Sequence, residues 1–333
     1  MINTGLTLGK FAPLHRGHQF VIERAIAEND NVVVIIYNAP EVTRIDLETR
    51  AGWIRSLYPD VEVLLARDGP TVVGKAPEIT QLHDSYLQRL LTGRRITRFY
   101  SSEFYGEHVS RALGAIDCRV DEVRKRVPIS GTAIRSDPFR YRDYMNPLVY
   151  RDLVTKVVFL GAPSTGKTTL ARHMADQLST AWVPEYGREF WEKNHIDRRL
   201  SLTQLAEIAM GHCEKEDQLV QDANRFLFVD TDATTTYQFS LHYHGRVHPI
   251  VAEMAAQCHE RYQVCFLCET DIPYEDSWDR SGEVHRAFFQ QQIEADLVAR
   301  GIEFTRLSGD LKTRTELVVK TLKAIEHEPF YAD

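Results

Sequence analysis

The sequence predicts an α/β protein made of two doubly wound parallel-sheet domains. Three observations carry that prediction. Short apolar strand-like runs alternate with longer helical patterns along the whole chain. The alternation restarts once, at "TKVVFLG" (155–161). The chain's 333 residues are enough for two domains of ordinary size.

The elements follow in order. An apolar stretch from residue 6 runs into a Gly-containing turn and a helical pattern from about Gly17 to Glu28. "NVVVIIY" (31–37) reads as a strand, followed by a helix near 46–57 and a strand "VEVLLA" (61–66). Helical pattern returns at 78–91 and 105–113, with short strands near 96–100 and 116–120. In the second series a helix begins at Lys167, and strands are expected at 226–230, 263–268 and 302–307. Helices at about 201–222, 248–260, 283–300 and 311–326 fill the gaps. Between the series lies "SDPFRYRDYMNPLVYRDLV" (136–154), with two prolines and several aromatics. The domains are therefore expected at 1–145 and 153–333, packed on this segment rather than hung on a flexible linker.

Composition narrows the function classes. A hydrophobic content of 43% and a charged content of 26% are those of a globular protein. The net charge of −7 argues against a nucleic-acid footprint, so no DNA partner is expected. The longest apolar run, "VVVIIY" (32–37), is too short to span a bilayer, and the N-terminus has no signal-peptide pattern. Five cysteines without a secretory signal suggest reduced thiols and a cytoplasmic location. "CFLC" (265–268) matches C-x-x-C, but it lies in a strand pattern. Positions three apart then point to opposite faces, which favours core cysteines over a redox pair. "HYHGRVH" (His242, His244, His248) lacks an organised fourth ligand and reads as a helix end and turn rather than a zinc site. Self-association into a homo-oligomer is left open.

"GAPSTGKTT" (161–169) is G-x-x-x-x-G-K-[ST], after an apolar strand and opening a helix, which is the context a P-loop requires. Backbone N–H groups of Gly161, Ala162, Pro163's neighbours, Ser164, Thr165, Gly166 and Thr169, with the helix N-terminus, would cradle ATP phosphates. Lys167 would supply a mobile charge, and Thr168 would coordinate Mg²⁺. "RFLFVDTD" (225–232) ends in Asp230 and Asp232 at a carboxyl strand edge. One is expected to hold Mg²⁺, here assigned to Asp230, while the other handles substrate. Helix capping is the plainer alternative, and Asp232 can do both. "VPEYGREF" (183–190) places Glu185, Tyr186 and Arg188 near the nucleotide: a base for a sugar hydroxyl, an aromatic face, and a cation. "DIPYEDSWDRSG" (271–282) suits a lid with Arg280 reaching the γ-phosphate; taken alone, it reads more readily as a solvated loop.

Near the N-terminus, "GKFAPLHRGH" (9–18) carries His15 and His18 where a helix begins, after a turn that Gly9 permits. No third ligand accompanies them at metal spacing. "ISGTAIR" (129–135) looks like a second helix N-terminus, with Ser130, Gly131 and Thr132 as turn and cap and Arg135 one turn in. Two helix N-termini, two histidines and an arginine make a triphosphate site. Attack by a phosphate on an α-phosphorus needs positioning and charge stabilisation, not proton removal.

"GKFAPLHRGH" with "ISGTAIR" resembles the paired signature of the HxGH nucleotidyltransferase superfamily, a Rossmann-like fold. Joined to a P-loop kinase domain carrying "EYGRE", "VDTD" and "GRVHP" through a linker carrying "FRYRDY", the chain resembles the bifunctional nicotinamide-mononucleotide (NMN) adenylyltransferase/ribosylnicotinamide kinases over roughly residues 5 to 325. The resemblance implies that the first domain makes NAD and pyrophosphate from ATP and NMN, and that the second phosphorylates nicotinamide riboside with ATP and Mg²⁺. Gly9, Lys10, Phe11, Ala12, His15 and His18 match the nucleotide-binding motif. Arg44 falls at a substrate-contacting arginine, and Ser101, Ser102, Glu103 and the segment 121–126 fall at further dinucleotide contacts. The first strand starts within about ten residues of Met1, so no helix-turn-helix domain and no repressor role are expected. The stretch 67–80 lacks the tryptophan expected to stack on the nicotinamide ring, so a weakened or altered first site is one alternative. Adenylyltransferases acting on flavin mononucleotide or phosphopantetheine are rivals, as is a non-catalytic nucleotide-sensing regulator. The P-loop argues against the flavin fusion, no Nudix box is present, and intact His15, His18, Lys167 and Asp230 argue against the regulator.

Overall fold

The structure, a computed structural model, describes residues 2–194, 200–274 and 283–326. The chain forms two compact units that divide between Tyr150 and Arg151.

The first unit contains β1 (Thr4–Gly9), α1 (Arg16–Glu28), β2 (Asn31–Tyr37), α2 (Leu47–Leu57), β3 (Glu62–Ala66), α3 (Pro77–Leu90), β4 (Arg98–Ser101), α4 (Gly106–Leu113), β5 (Ile116–Arg119) and α5 (Gly131–Ser136). The five strands are parallel, in the order β3-β2-β1-β4-β5. β2 is buried on both faces, as its continuous apolar run requires. Leu6, Val33, Ile35, Phe99 and Leu87 form the centre of one core layer. All strands point the same way, but the order in which they are added reverses between β1 and β4, so the crevice at their carboxyl ends is the natural ligand site.

Helix α6 (Pro147–Arg151) carries the division. The second unit follows with β6 (Thr155–Leu160), α7 (Lys167–Leu178), β7 (Trp182–Val183), α8 (Tyr186–Asn194), α9 (Leu202–Leu219), β8 (Phe226–Asp230), α10 (Ala233–His244), α11 (Pro249–Ala256), α12 (Cys258–Arg261), β9 (Val264–Cys268), α13 (Glu283–Ala299), β10 (Thr305–Leu307) and α14 (Leu311–Glu326). Its parallel sheet runs β10-β9-β6-β8-β7. Phe159 stacks between Phe228 and Phe266 at the sheet centre, with ring centroids 6.0 and 5.6 Å away. α9 starts on a capping box formed by Ser201 and Gln204.

The helix expected over 248–260 is two helices, broken at Gln257. Helix α8 is an addition to the expected pattern, and of α10 only the end, at His242–His244, was expected. α10 opens "ATTT", and its buried side includes Thr234, Thr235, Gln238 and Ser240. β-branched and polar residues hide the helical period from the sequence. Tertiary packing supplies the stability instead. Cys265 and Cys268 lie in β9 with thiols buried, which raises both above the ordinary thiol range. Among the described residues no His, Cys, Asp and Glu group has metal-site geometry, and no helix is long and apolar enough to cross a membrane.

Candidate active sites

In the first unit, His15 is the N-cap of α1, and its Nδ1 accepts from the Gly17 N–H at 3.1 Å. With that lone pair committed, Nε2 is the protonated nitrogen. It lies 3.9 Å from where a Cβ on Gly131 would stand. Gly131 opens α5, capped by Ser130, whose Oγ accepts from the Ala133 N–H at 3.1 Å. Arg135 closes the arrangement: its Nη1 donates to the Ala12 carbonyl at 3.0 Å, across 123 residues of sequence, and Nη2 donates to Thr132 at 3.1 Å. The fold thus brings "GKFAPLHRGH" and "ISGTAIR" to one place.

The His15 and His18 rings stack with centroids 3.7 Å apart, and Phe11 meets His18 edge-on at 4.9 Å. The buried Nδ1 of His18 has no hydrogen bond of good geometry, although the ring lies within reach of the Pro13 backbone, which pulls its pKa upward. Burial, then the charges of Arg124 and Arg135, lower His15 to about 4. Burial, His15 and Arg124 hold His18 well below its ordinary value. Both rings are therefore neutral at pH 7, and the positive charge of the site belongs to Arg124 and Arg135. Arg124 sits at φ 51° in a loop that the Asp121 carboxylate braces, accepting from the N–H groups of Lys125 (2.8 Å) and Val127 (3.0 Å).

Ser101 ends β4 with its buried Oγ unpartnered, and Ser102 and Glu103 follow it. Glu103 lies 3.2 Å from the Arg124 guanidinium. Lys10 pairs with Glu41 at 2.7 Å, and Arg44 is exposed on the segment between β2 and α2. Sequence reasoning missed Arg50, which is 1% exposed. Its Nη1 donates to the carbonyls of Lys10 (2.6 Å) and Tyr37 (2.9 Å), tying together the chain beyond β1 and the end of β2. Nothing local distinguishes it from any arginine on a helix face.

In the second unit the P-loop joins β6 to α7. Gly161 has φ +139°, and a Cβ there would stand 2.6 Å from the Cys268 carbonyl oxygen; Gly166 caps α7 at φ +80°. Lys167 Nζ donates to the carbonyls of Gly161 (2.9 Å) and Ala162 (3.0 Å), and Thr165 Oγ1 also donates to Ala162 (2.8 Å). Arg286 donates to the Ser164 carbonyl at 2.8 Å, and Arg314 to that of Thr165 at 2.6 Å. These carbonyls are thus held by protein donors, and the Ala162 N–H, expected in the phosphate cradle, is itself spent on Gln290 Oε1 at 2.8 Å, which leaves the N–H groups after Pro163 to face an anion. Thr168 donates to Asp230 Oδ2, while the buried Oδ1 of Asp230 has no partner. A fully buried carboxylate oxygen without a donor, beside a hydroxyl, fits a hard divalent cation such as Mg²⁺. Burial, then the Glu185 carboxylate, push Asp230 up to about 6 against the pull of Lys167.

Beside the P-loop opens a cavity of about 690 Å³, lined by Thr168, Thr169, Glu185, Arg188 and Asp232 among others. Pro163, Ser164, Thr165 and Gly166 form its phosphate end. Arg188 lies 3.8 Å from Glu185. Asp232 is the N-cap of α10; its Oδ1 accepts from Thr234 N (2.9 Å), Thr234 Oγ1 (2.5 Å) and Thr235 N (3.4 Å). Tyr186, expected to offer an aromatic face to the substrate, lies elsewhere on α8. Its ring lies against Gly211 of α9, where a Cβ would come within 2.5 Å, and it is not among the residues lining the cavity. In α8, Gly187, Arg188 and Trp191 share the cavity face, while Tyr186 and Phe190 contact each other. The cavity's aromatic walls are Trp191, Phe239, Tyr243 and Phe289. Arg280 lies outside the described residues.

Comparison with known proteins follows this division. A "cytidylyltransferase-like" family model matches residues 6–137, and an "AAA domain" model matches residues 156–314. The "Trifunctional NAD biosynthesis/regulator protein NadR" of Salmonella typhimurium is 28% identical over 92% of this chain and 78% of its own length. The protein of that name from Escherichia coli is 29% identical over 92% and 79%. Among solved structures, NadR protein in complex with NAD and AMP-PNP shares the fold, with TM-score 0.58 and 23% identity over 99% of this chain and 96% of that one. NadR protein in complex with NR gives TM-score 0.59 and 23% identity over 97% and 95%. These matches make the chain similar to NadR proteins along nearly its whole length, in both of its units.

Proposed function

We propose that the chain makes NAD in two ATP-dependent steps. Residues 153–333 phosphorylate nicotinamide riboside to NMN, and residues 1–145 adenylylate NMN to NAD with release of pyrophosphate. The observation that carries this reading is the pairing of two differently built phosphate sites in one chain, each at the carboxyl edge of its own sheet. One of them opens on a cavity walled by carboxylates and aromatic rings. The NadR relatives, by name NAD biosynthesis proteins, and the NadR structures holding NAD, AMP-PNP and NR support it.

In the second unit Glu185 accepts the proton of the riboside 5′-hydroxyl, since Asp232 already spends one oxygen capping α10. Lys167 and the P-loop N–H groups draw charge from the transferring phosphoryl group, and the Trp191, Phe239, Tyr243 and Phe289 walls take the pyridine ring. Thr168 and Asp230 are the residues that would hold Mg²⁺, which would supply neutralisation of phosphate charge there. In the first unit the NMN phosphate is already an anion and needs no base. His15 and His18 position the triphosphate as neutral rings at the α1 N-terminus, and Arg124 and Arg135 neutralise the departing pyrophosphate.

Incubation with nicotinamide riboside, ATP and Mg²⁺, followed by chromatography, tests both steps. NMN should appear first and NAD after it. No NMN would refute the kinase assignment, and no NAD from added NMN would refute the other.

A further inference from the structure

One polar residue in the cavity wall stands apart from the phosphate and base machinery. Helix α9 presents Leu205, Ile208, Ala209 and His212 to the cavity, at the spacing of a single helical face. Three are apolar. The fourth, His212, is 5% exposed. Its Nε2 lies 3.1 Å from the carbonyl oxygen of Thr231. A carbonyl only accepts, so Nε2 carries the proton.

Thr231 stands between Asp230 and Asp232 with φ 71°. A β-branched residue adopts that left-handed conformation only when its surroundings hold it. The Thr231 N–H donates to the Phe159 carbonyl at 3.1 Å, and the bond from His212 holds the other side of the residue. The same bond fixes the histidine tautomer. Burial keeps the ring neutral although the Glu216 and Glu185 carboxylates pull the other way. A neutral ring protonated at Nε2 has a lone pair at Nδ1 and can only accept there. Glu185 and Asp232 line the same cavity and are also acceptors. This wall is rich in acceptors, and sugar hydroxyls are the donors that suit it.

We propose that His212 is a specificity-determining residue of the kinase site, whose Nδ1 accepts a hydrogen bond from a ring hydroxyl of the acceptor riboside while the Thr231 carbonyl holds the imidazole in place. The inference rests on the reading of this cavity as a riboside site and names one wall of it. Loss of a hydroxyl that pairs with a buried acceptor leaves that acceptor unsatisfied, which costs about 10- to 100-fold in kcat/KM.

The test measures kcat/KM for nicotinamide riboside and its 2′-deoxy and 3′-deoxy forms with full-length wild type, His212→Phe and His212→Gln, together with the KM for ATP. Wild type should reject one deoxy form by about 10-fold or more. His212→Phe should lose that discrimination to within about two-fold while its ATP KM stays near wild type. His212→Gln, which can both donate to Thr231 and accept, should restore part of it. Discrimination that persists in a folded His212→Phe protein overturns the proposal. If that variant does not fold, wild type and His212→Gln decide: equal use of all three substrates by wild type, or rejection undiminished in His212→Gln, overturns it, and rejection that weakens in His212→Gln sustains it. If wild type ignores nicotinamide riboside but phosphorylates another riboside, the substrate assignment fails, and the same comparison on that riboside's deoxy forms judges His212. If no riboside is phosphorylated, both readings fall.

Discussion

Asp230→Asn separates two demands that the fold places on one carboxylate. Asp230 is fully buried; Thr168 bonds its Oδ2, and its Oδ1 has no partner. Burial and the Glu185 carboxylate lift its pKa from 3.8 to about 6. At about 1.4 kcal/mol per pKa unit, the ionised carboxylate costs the folded state on the order of 3 kcal/mol at pH 7.5. The sign follows from proton uptake. Between pH 3.8 and 6 the folded protein binds the proton more readily than the unfolded chain, so the cost is full above pH 6 and fades as the pH falls. Asparagine is neutral throughout and keeps an oxygen for the Thr168 hydroxyl. At roughly 2–4 °C per kcal/mol for a domain of this size, the substitution should raise the Tm of the second unit by up to about 10 °C at pH 7.5, and by much less at pH 4.5. It should also lower phosphoryl transfer to the riboside by about 10²-fold or more, because the cation site loses its charge. Thermal unfolding at the two pH values, with and without ATP and Mg²⁺, measures the first effect, and single-turnover phosphorylation measures the second. A variant no more stable than wild type at pH 7.5, or one that keeps its phosphorylation rate, would refute the reasoning.

Four further outcomes are expected. Lys167→Ala should abolish riboside phosphorylation while leaving NAD formation from added NMN intact, and equal loss of both activities in coupled and uncoupled assays would sink the two-site reading. His18→Ala should lower NAD formation by about 10²–10³-fold with kinase turnover unchanged; zinc found at stoichiometry and lost together with activity would instead point to a metal role. Glu185→Gln should lower riboside kinase kcat by about 10²–10⁴-fold with little change in ATP binding, and a near-normal kcat there beside a crippled Asp232→Asn would exchange the two roles. Burial and neighbouring arginines depress His15 to about 4, so the unfolded chain takes up its proton first as the pH falls below 6.5. The first unit should therefore lose stability between pH 6.5 and 4, and His15→Gln should flatten that slope in urea titrations; an unchanged slope would count against a neutral, buried His15.

The sequence by itself determined the two-sheet α/β architecture, because apolar strands alternate with helical runs and restart at Thr155. It also marked the stretches 161–169, 9–18 and 129–135, because a phosphate cradle is built from consecutive backbone groups and a helix start, and these are contiguous in the chain. What faces a cavity is a different kind of information. Tyr186 and Trp191 belong to one short stretch, yet only the packing of α8 on α9 turns the tyrosine to Gly211 and the tryptophan inward. Only the end of α10 was legible, because the buried threonines of its first turns carry no apolar period; contacts elsewhere in the unit stabilise it. Arg50 and His212 look like ordinary helix residues until distant carbonyls, Lys10 and Thr231, come within bonding distance. The charge states were decided by tertiary structure alone. His15 and His18 are neutral and Asp230 is raised because the fold removes water from them and places Arg124, Arg135 and Glu185 nearby. Desolvation and through-space charge depend on three-dimensional distance, which residue order does not contain.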